Sequence, residues 1–135
     1  MAEQTPEMKK KEQLFRGKTL EELKALDVRE SAKFIKSKSR RSVLRNFDAI
    51  EKFLKRCEKK IAKNKKIKTH LRDLVIVPKF VGLTISIYNG KSFQDVLITN
   101  EMIGHRLGEF ALTRVKAKHT SMGLGATKSS RAQKK

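Results

Sequence analysis

At 135 residues the chain has room for one small domain with extensions, and 33 Lys and Arg against 14 Asp and Glu leave a formal net charge of +19. Only 38% of the residues are hydrophobic and no apolar run approaches the roughly 20 residues of a spanning helix, which argues against membrane insertion and secretion. The one cysteine, Cys57, provides neither an internal disulfide nor a Cys-rich zinc site, so the chain suits a reducing compartment, the cytosol or the nucleus.

Residues 1–18 read as a mobile N-terminal segment, polar and mixed in charge with no apolar period through residue 13. A basic helical region follows over 19–67. Thr19-Leu20-Glu21-Glu22 is a capping-box sequence that predicts a short helix with Leu20, Leu23 and Leu26 inward. Asp27 is a second candidate cap, opening another short helix through Ala32 to Ile35. The strongest helix is expected over 40–63, where Val43, Phe47, Ile50, Leu54, Cys57 and Ile61 are spaced 4, 3, 4, 3 and 4 apart. Arg45, Lys52, Lys55, Arg56, Lys59, Lys60 and Lys63 fall mostly off that stripe, so one face packs while the rest presents charge. The stripe is under three heptads, too short for an independent coiled coil, and should dock on its own domain with Cys57 as a buried, inert thiol. Lys63 to Lys68 reads as a basic loop.

Residues 68–110 read as an α+β core. Leu74 to Val77, ended by Pro78, is a predicted strand. Leu83 to Tyr88 alternates apolar and polar residues, Asn89-Gly90 supplies a hairpin turn, and the returning strand is Lys91 to Ile98. A two-residue turn makes partner numbers sum to 179, pairing Ile87 with Ser92, Ile85 with Gln94, Leu83 with Val96 and Val81 with Ile98. Thr99 is a candidate cap for a last helix, Glu101 to Leu107, with Ile103 and Leu107 inward and Gly108 as the stop. From 111 to 135 the apolar residues lack any period, which predicts an extended cationic tail. The expected fold class is therefore α+β: a small antiparallel three-stranded sheet with short helices, preceded by the basic helical region and followed by the tail.

Charge divides along the same lines. Residues 36–68 hold 14 basic and 3 acidic side chains, 69–110 hold 4 of each, and 111–135 hold 7 basic and none acidic. A lysine-rich face is ordinarily just solvated, but two arms of this magnitude repel one another around a neutral centre and call for a polyanion. Nucleic acid fits better than lipid, since a membrane-surface helix needs aromatic anchors and the chain has no Trp and one Tyr.

Catalytic chemistry finds little support. His70, His105 and His119 share no metal-ligand spacing, Asp73, Asp95, Glu101 and Glu109 form no cluster, and neither GxxxxGK nor GxGxxG occurs. His105 lies one helical turn from Glu101 and Glu109, the setting of a surface histidine beside a carboxylate. The expectation is no catalytic residue, no metal and no cofactor. With aromatic residues at 6% and most Phe on apolar stripes, a base-stacking platform of the RNA-recognition-motif kind is not expected either, leaving recognition of phosphate and shape.

The segments KTHLRD (Lys68 to Asp73), VPKFVG (Val77 to Gly82), YNGKSF (Tyr88 to Phe93), MIGHRLGEF (Met102 to Phe110), VKAKH (Val115 to His119) and GATKSSR (Gly125 to Arg131) occur in order. Together they resemble the small-subunit ribosomal protein nineteen family, numbered fifteen in eukaryotes, and THLRD with the basic helical region resembles its eukaryotic and archaeal branch. The resemblance implies a structural constituent of the small (40S-type) subunit that binds ribosomal RNA in the head and supports head assembly. It further implies contact with the head protein numbered thirteen, a bridge to the large subunit, a tail near the decoding-site tRNAs, and residence on the cytoplasmic ribosome, with passage through the nucleolus if the cell is eukaryotic. Carried over residue by residue, the RNA-binding candidates are Lys68, Thr69, His70 and Arg72; Asn89, Gly90 and Lys91 at the hairpin tip; and Gly104, His105 and Arg106. In the tail they are Arg114, Lys116, Lys118, His119, Lys128 and Arg131. The alternative is a free-standing basic RNA- or DNA-binding protein, regulatory or chromatin-associated, and an enzyme acting on RNA is a distant third.

Overall fold

The computed structural model describes residues 14–117 and Ser129, so the expectations for residues 1–13 and for the tail from Lys118 lie outside the described residues, Ser129 excepted. Leu14 to Lys18 closes a tight turn, with reciprocal backbone hydrogen bonds between Phe15 and Lys18 of 2.9 and 3.2 Å across Arg16 and Gly17, both at positive φ. Helix α1 (Leu20–Ala25) starts where the capping box places it, the Thr19 hydroxyl accepting from the Glu22 N–H at 3.4 Å, and Leu23 is fully buried. Helix α2 (Val28–Ser31) follows Asp27, which holds the cap position without a side-chain cap bond, and a 3-10 turn (Ala32–Phe34) continues it.

The helix expected over 40–63 is two helices, α3 (Ser37–Arg45) and α4 (Phe47–Ile61). Asn46 separates them at φ −104° and ψ 26°, outside helical geometry. Asn is a poor interior helix residue because its side chain competes for backbone groups. The bend keeps both apolar faces on one core: Val43, Ile50 and Cys57 are buried as the stripe predicts, Ile61 is exposed, and Phe53, off the expected stripe, is buried to 1%. Phe53 meets Phe80 edge to face, ring centroids 5.5 Å apart, an aromatic contact that fastens α4 to the central segment.

The sheet is three-stranded, in the order β1 (Ile67–Thr69), β2 (Thr84–Tyr88), β3 (Phe93–Leu97), and it is mixed: β1 runs parallel to β2, and β2 antiparallel to β3. The third strand is thus Ile67–Thr69 and not Leu74 to Val77. Leu74 to Val77 are all buried, but their backbone pairs with the segment 104–108, outside the sheet. Gly104 N–H donates to the Ile76 carbonyl at 2.9 Å, Ile76 N–H to that of His105 at 2.8 Å, and Leu107 N–H to that of Leu74 at 3.0 Å. This pairing also explains why Glu101 to Leu107 is not an α-helix. Gly104 takes φ +85°, and the chain forms two 3-10 turns instead, Asn100–Met102 and Leu107–Phe110, with Thr99 making no side-chain cap bond. Ile103 and Leu107 still point inward, 4% and 0% exposed.

The hairpin forms with each partner displaced by two residues: Ile85 faces Val96, Ile87 faces Gln94 and Tyr88 faces Phe93, so partner numbers sum to 181. The loop is four residues, not two. The Asn89 Oδ1 accepts from the N–H groups of Lys91 (3.0 Å) and Ser92 (2.8 Å), an arrangement in which only Gly90, at φ +98°, is left-handed. A shift of the partner by two residues preserves parity, so Ile85 and Ile87 still face the core. The core is one cluster, drawn from α2, α3, α4, β1, β2 and the loops between 74 and 111.

Candidate nucleic-acid interface

The cationic region 36–68 becomes a surface because most of its large apolar residues, Val43, Ile50, Phe53, Cys57 and Ile67 among them, are drawn to one side, with Leu44 and Ile61 left exposed. Of its basic side chains every one except half-buried Lys60 is exposed, including Lys52, Lys55, Arg56 and Lys59 on α4. Its three carboxylates are too few to cancel that charge. The described residues hold two salt bridges, Lys66 to Asp95 and His105 to Glu109, so the bulk of the positive charge faces outward. Helix α4 ends in a Schellman turn: Lys65 N–H reaches the Lys60 carbonyl and Asn64 N–H the Ile61 carbonyl, both at 2.9 Å, with Asn64 at φ +49°. This turn delivers Lys63, Lys65, Lys66 and Lys68 from the helix to the start of the sheet.

The candidate residues fall into groups. Lys68 and Thr69 lie on β1 with His70 just beyond, close to the hairpin end. Lys68 and His70 are exposed, while Thr69 is 3% exposed and its Oγ1 accepts from the Leu71 N–H at 3.1 Å, which fixes the chain locally. The Lys68 Nζ stands 5.2 Å from the Phe93 ring centroid. Asn89, Gly90 and Lys91 form the turn, where the Tyr88 hydroxyl also donates to the Gly90 carbonyl at 2.9 Å. Arg72 is half-buried, and its guanidinium donates to three backbone carbonyls: Tyr88 (2.5 Å), Gly108 (2.8 Å) and Ala111 (2.6 Å). These bonds lace the hairpin to the end of the core.

Gly104, His105 and Arg106 gather elsewhere, beside α3. The Gly104 carbonyl accepts from the Ser39 hydroxyl at 2.7 Å, and a Cβ on Gly104 would come within 3.0 Å of Ile35. His105 Nδ1 lies 2.7 Å from a Glu109 carboxylate oxygen, both side chains half exposed, as the helical spacing suggested although the backbone is not helical. Burial pushes the Glu109 carboxyl up, but the bonds from His105 and the Arg106 N–H outweigh it and leave the net shift downward. Arg114 and Lys116 are exposed in the stretch without helix or strand that follows Ala111, and Lys118, His119, Lys128 and Arg131 lie outside the described residues.

Two features escaped the sequence. Lys66 Nζ bonds Asp95 at 3.1 Å and the Ser86 hydroxyl bonds the same carboxylate at 2.5 Å; the Ser86 bond first, then Lys66, holds Asp95 below the usual carboxylate range. His70, Tyr88 and Phe93 also bring their rings together at the hairpin end, with centroids 4.6 to 5.2 Å apart. The alternation of β2 and β3 was the available signal for that cluster, but it required the register. Elsewhere, Cys57 is 1% exposed and burial pushes its thiol up to about 11, so it stays protonated and unreactive. No three metal-ligating side chains cluster among the described residues, and no described helix is long and apolar enough to cross a membrane.

Comparison with known proteins places these features in company. A sequence model of the family described as Ribosomal protein S19 matches residues 41–119. The small ribosomal subunit protein uS19 of Halorubrum lacusprofundi is 46% identical over 126 residues, 90% of this chain and 89% of that protein. The protein of the same name from Picrophilus torridus is 46% identical over 121 residues, 90% of this chain and 79% of that one.

Proposed function

The chain belongs to the ribosomal protein S19 family, and from that premise we propose that its α3–α4 surface and its tail bind ribosomal RNA in the head of the small subunit. As a member of the family it is a structural, non-enzymatic constituent of the small ribosomal subunit and resides on the ribosome. The observation that carries the RNA reading is the sorting of region 36–68 into a buried apolar side and an exposed cationic one, with too few acids nearby to neutralise it. Phosphates replace the missing anions, and the release of their condensed counterions drives the binding.

Within this reading Lys68, His70, Lys91, His105 and Arg106 are exposed and available to RNA, as are Arg114 and Lys116 at the start of the tail. Thr69, Arg72, Asn89, Gly90 and Gly104 serve by shaping the backbone that presents them. The tail from residue 111, with 7 basic and no acidic side chains, would run between RNA helices toward the tRNAs at the decoding site. Contacts with the head protein numbered thirteen, a bridge to the large subunit and, in a eukaryotic cell, nucleolar passage during assembly complete the proposal.

The test is salt dependence. Log affinity for small-subunit ribosomal RNA should fall linearly with log salt, and the triple substitution of Lys52, Lys55 and Lys59 by Gln should flatten the slope by roughly one for each phosphate that a lysine no longer neutralises. An unchanged slope would show that this face of α4 does not meet phosphate. Equal affinity for duplex DNA would show that this surface reads phosphate charge without discriminating folded ribosomal RNA.

A further inference from the structure

Strand pairing gives the sheet two unlike faces. Ile67, Thr69, Ile85 and Ile87 turn into the core and are all buried. The alternate positions face the other way. There Lys68 is level with Ser86, Ser86 with Asp95, and Tyr88 with Phe93. Continuing the β1–β2 register by one step brings His70 level with Tyr88, so that His70, Tyr88 and Phe93 form a row across the end of the sheet, one ring from beside each strand. The ring distances agree: 4.6 Å from His70 to Tyr88, 5.2 Å from Tyr88 to Phe93 and 5.1 Å from His70 to Phe93.

The rings brace one another in tilted and edge-to-face contacts, their planes meeting at 51°, 54° and 75°, so the cluster is held in place without forming a parallel stack of its own. His70 is exposed and the other two are half-buried. The surroundings are cationic: Lys68 stands over Phe93, Lys91 lies in the adjoining turn, and the one carboxylate on this face, Asp95, is already bonded to Ser86 and Lys66. Aromatic faces flanked by lysines are the arrangement that takes a nucleobase on the rings and its phosphates on the ammonium groups.

We propose that the row His70, Tyr88 and Phe93 is a stacking site for an unpaired base of an RNA strand, with Lys68 and Lys91 meeting the flanking phosphates. This rests on the RNA-binding reading above and adds to it a contact with a base rather than with the backbone alone.

Tyr88 is the one tyrosine and the chain has no tryptophan, so tyrosine emission from the full-length protein reports this site alone. Two probes separate stacking from charge: a short oligoadenylate and an abasic strand of equal length and charge. The oligoadenylate should quench Tyr88 and bind roughly tenfold more tightly than the abasic strand, the loss expected for one stacked base. Phe93→Leu, which keeps the fluorophore, should shrink that preference and leave abasic binding unaltered. Equal affinity for the two strands overturns the stacking site while leaving the electrostatic reading standing, and failure to bind either strand removes both. The comparison in the unmutated protein decides even if Phe93→Leu does not fold.

Discussion

Arg72 joins three places remote in sequence, the carbonyls of Tyr88, Gly108 and Ala111, through two nitrogens of one guanidinium. Gly108 permits this approach, since a Cβ there would stand 3.0 Å from the Arg72 backbone oxygen and from its Cβ. The Gly108 N–H in turn donates to the Arg72 carbonyl at 2.8 Å, so the contact is reciprocal. Charged donors make the stronger hydrogen bonds, and removing one leaves part-buried carbonyls unsatisfied. Arg72→Met should therefore lower stability by about 2–4 kcal/mol, read as a fall in the urea midpoint without a change in slope. Arg72→Lys should recover only a minor part, because an ammonium cannot fork to three carbonyls from one plane. A midpoint unmoved in Arg72→Met would mean that the lacing contributes nothing. The sequence shows an arginine inside a family motif, which suggests RNA. Its actual partners are backbone carbonyls, which every residue carries and no side-chain pattern can mark.

At the scale of elements, apolar spacing was legible and backbone punctuation was not. Val43, Ile50 and Cys57 are buried where a 3.6-residue period puts them, yet the period continues through Asn46 and gives no notice of the bend there. Asn-Gly announced the hairpin, while the Asn89 side chain built a four-residue loop that the dipeptide alone does not specify. Leu74 to Val77 reads as a strand because β-branched apolar residues suit one; whether they enter a sheet or pair with 104–108 depends on Gly104, about thirty residues away, taking positive φ. The end of α4 is the clearest such punctuation. Asn64 holds φ +49° in a turn that stops the helix and aims four lysines at the sheet. An ordinary side chain in that conformation costs roughly 1–2 kcal/mol, and Asn tolerates it better than most. Asn64→Ala should thus lower the unfolding free energy by about 1 kcal/mol, while Asn64→Gly should match or exceed the unmodified protein. Equal melting temperatures for the Ala and Gly variants would show that the left-handed turn is not what terminates the helix.

For the whole molecule, the division into a helical arm at 19–67 and a central piece at 68–110 describes charge better than it describes packing. A piece of about 40 residues lies near the lower limit for a hydrophobic core of its own. Here it has none that is separate: Val28, Ala32, Ile35, Val43, Ile50, Phe53 and Cys57 belong to the same cluster as Ile76, Phe80, Ile85 and Leu107. Phe80 packs against Phe53 of α4, and Ser39 of α3 bonds Gly104. One core thus serves both segments, and the cationic helices are held at a fixed angle to the hairpin by apolar contact, not by a linker. A fragment spanning 66–111 should for that reason fail to fold alone, giving a disordered far-ultraviolet spectrum and narrow amide proton dispersion. Adding residues 19–65 in trans should restore β-sheet dispersion, because the missing half of the core returns with them. A cooperative thermal transition in the isolated fragment would show that the central sheet stands unaided and that the helices only carry charge.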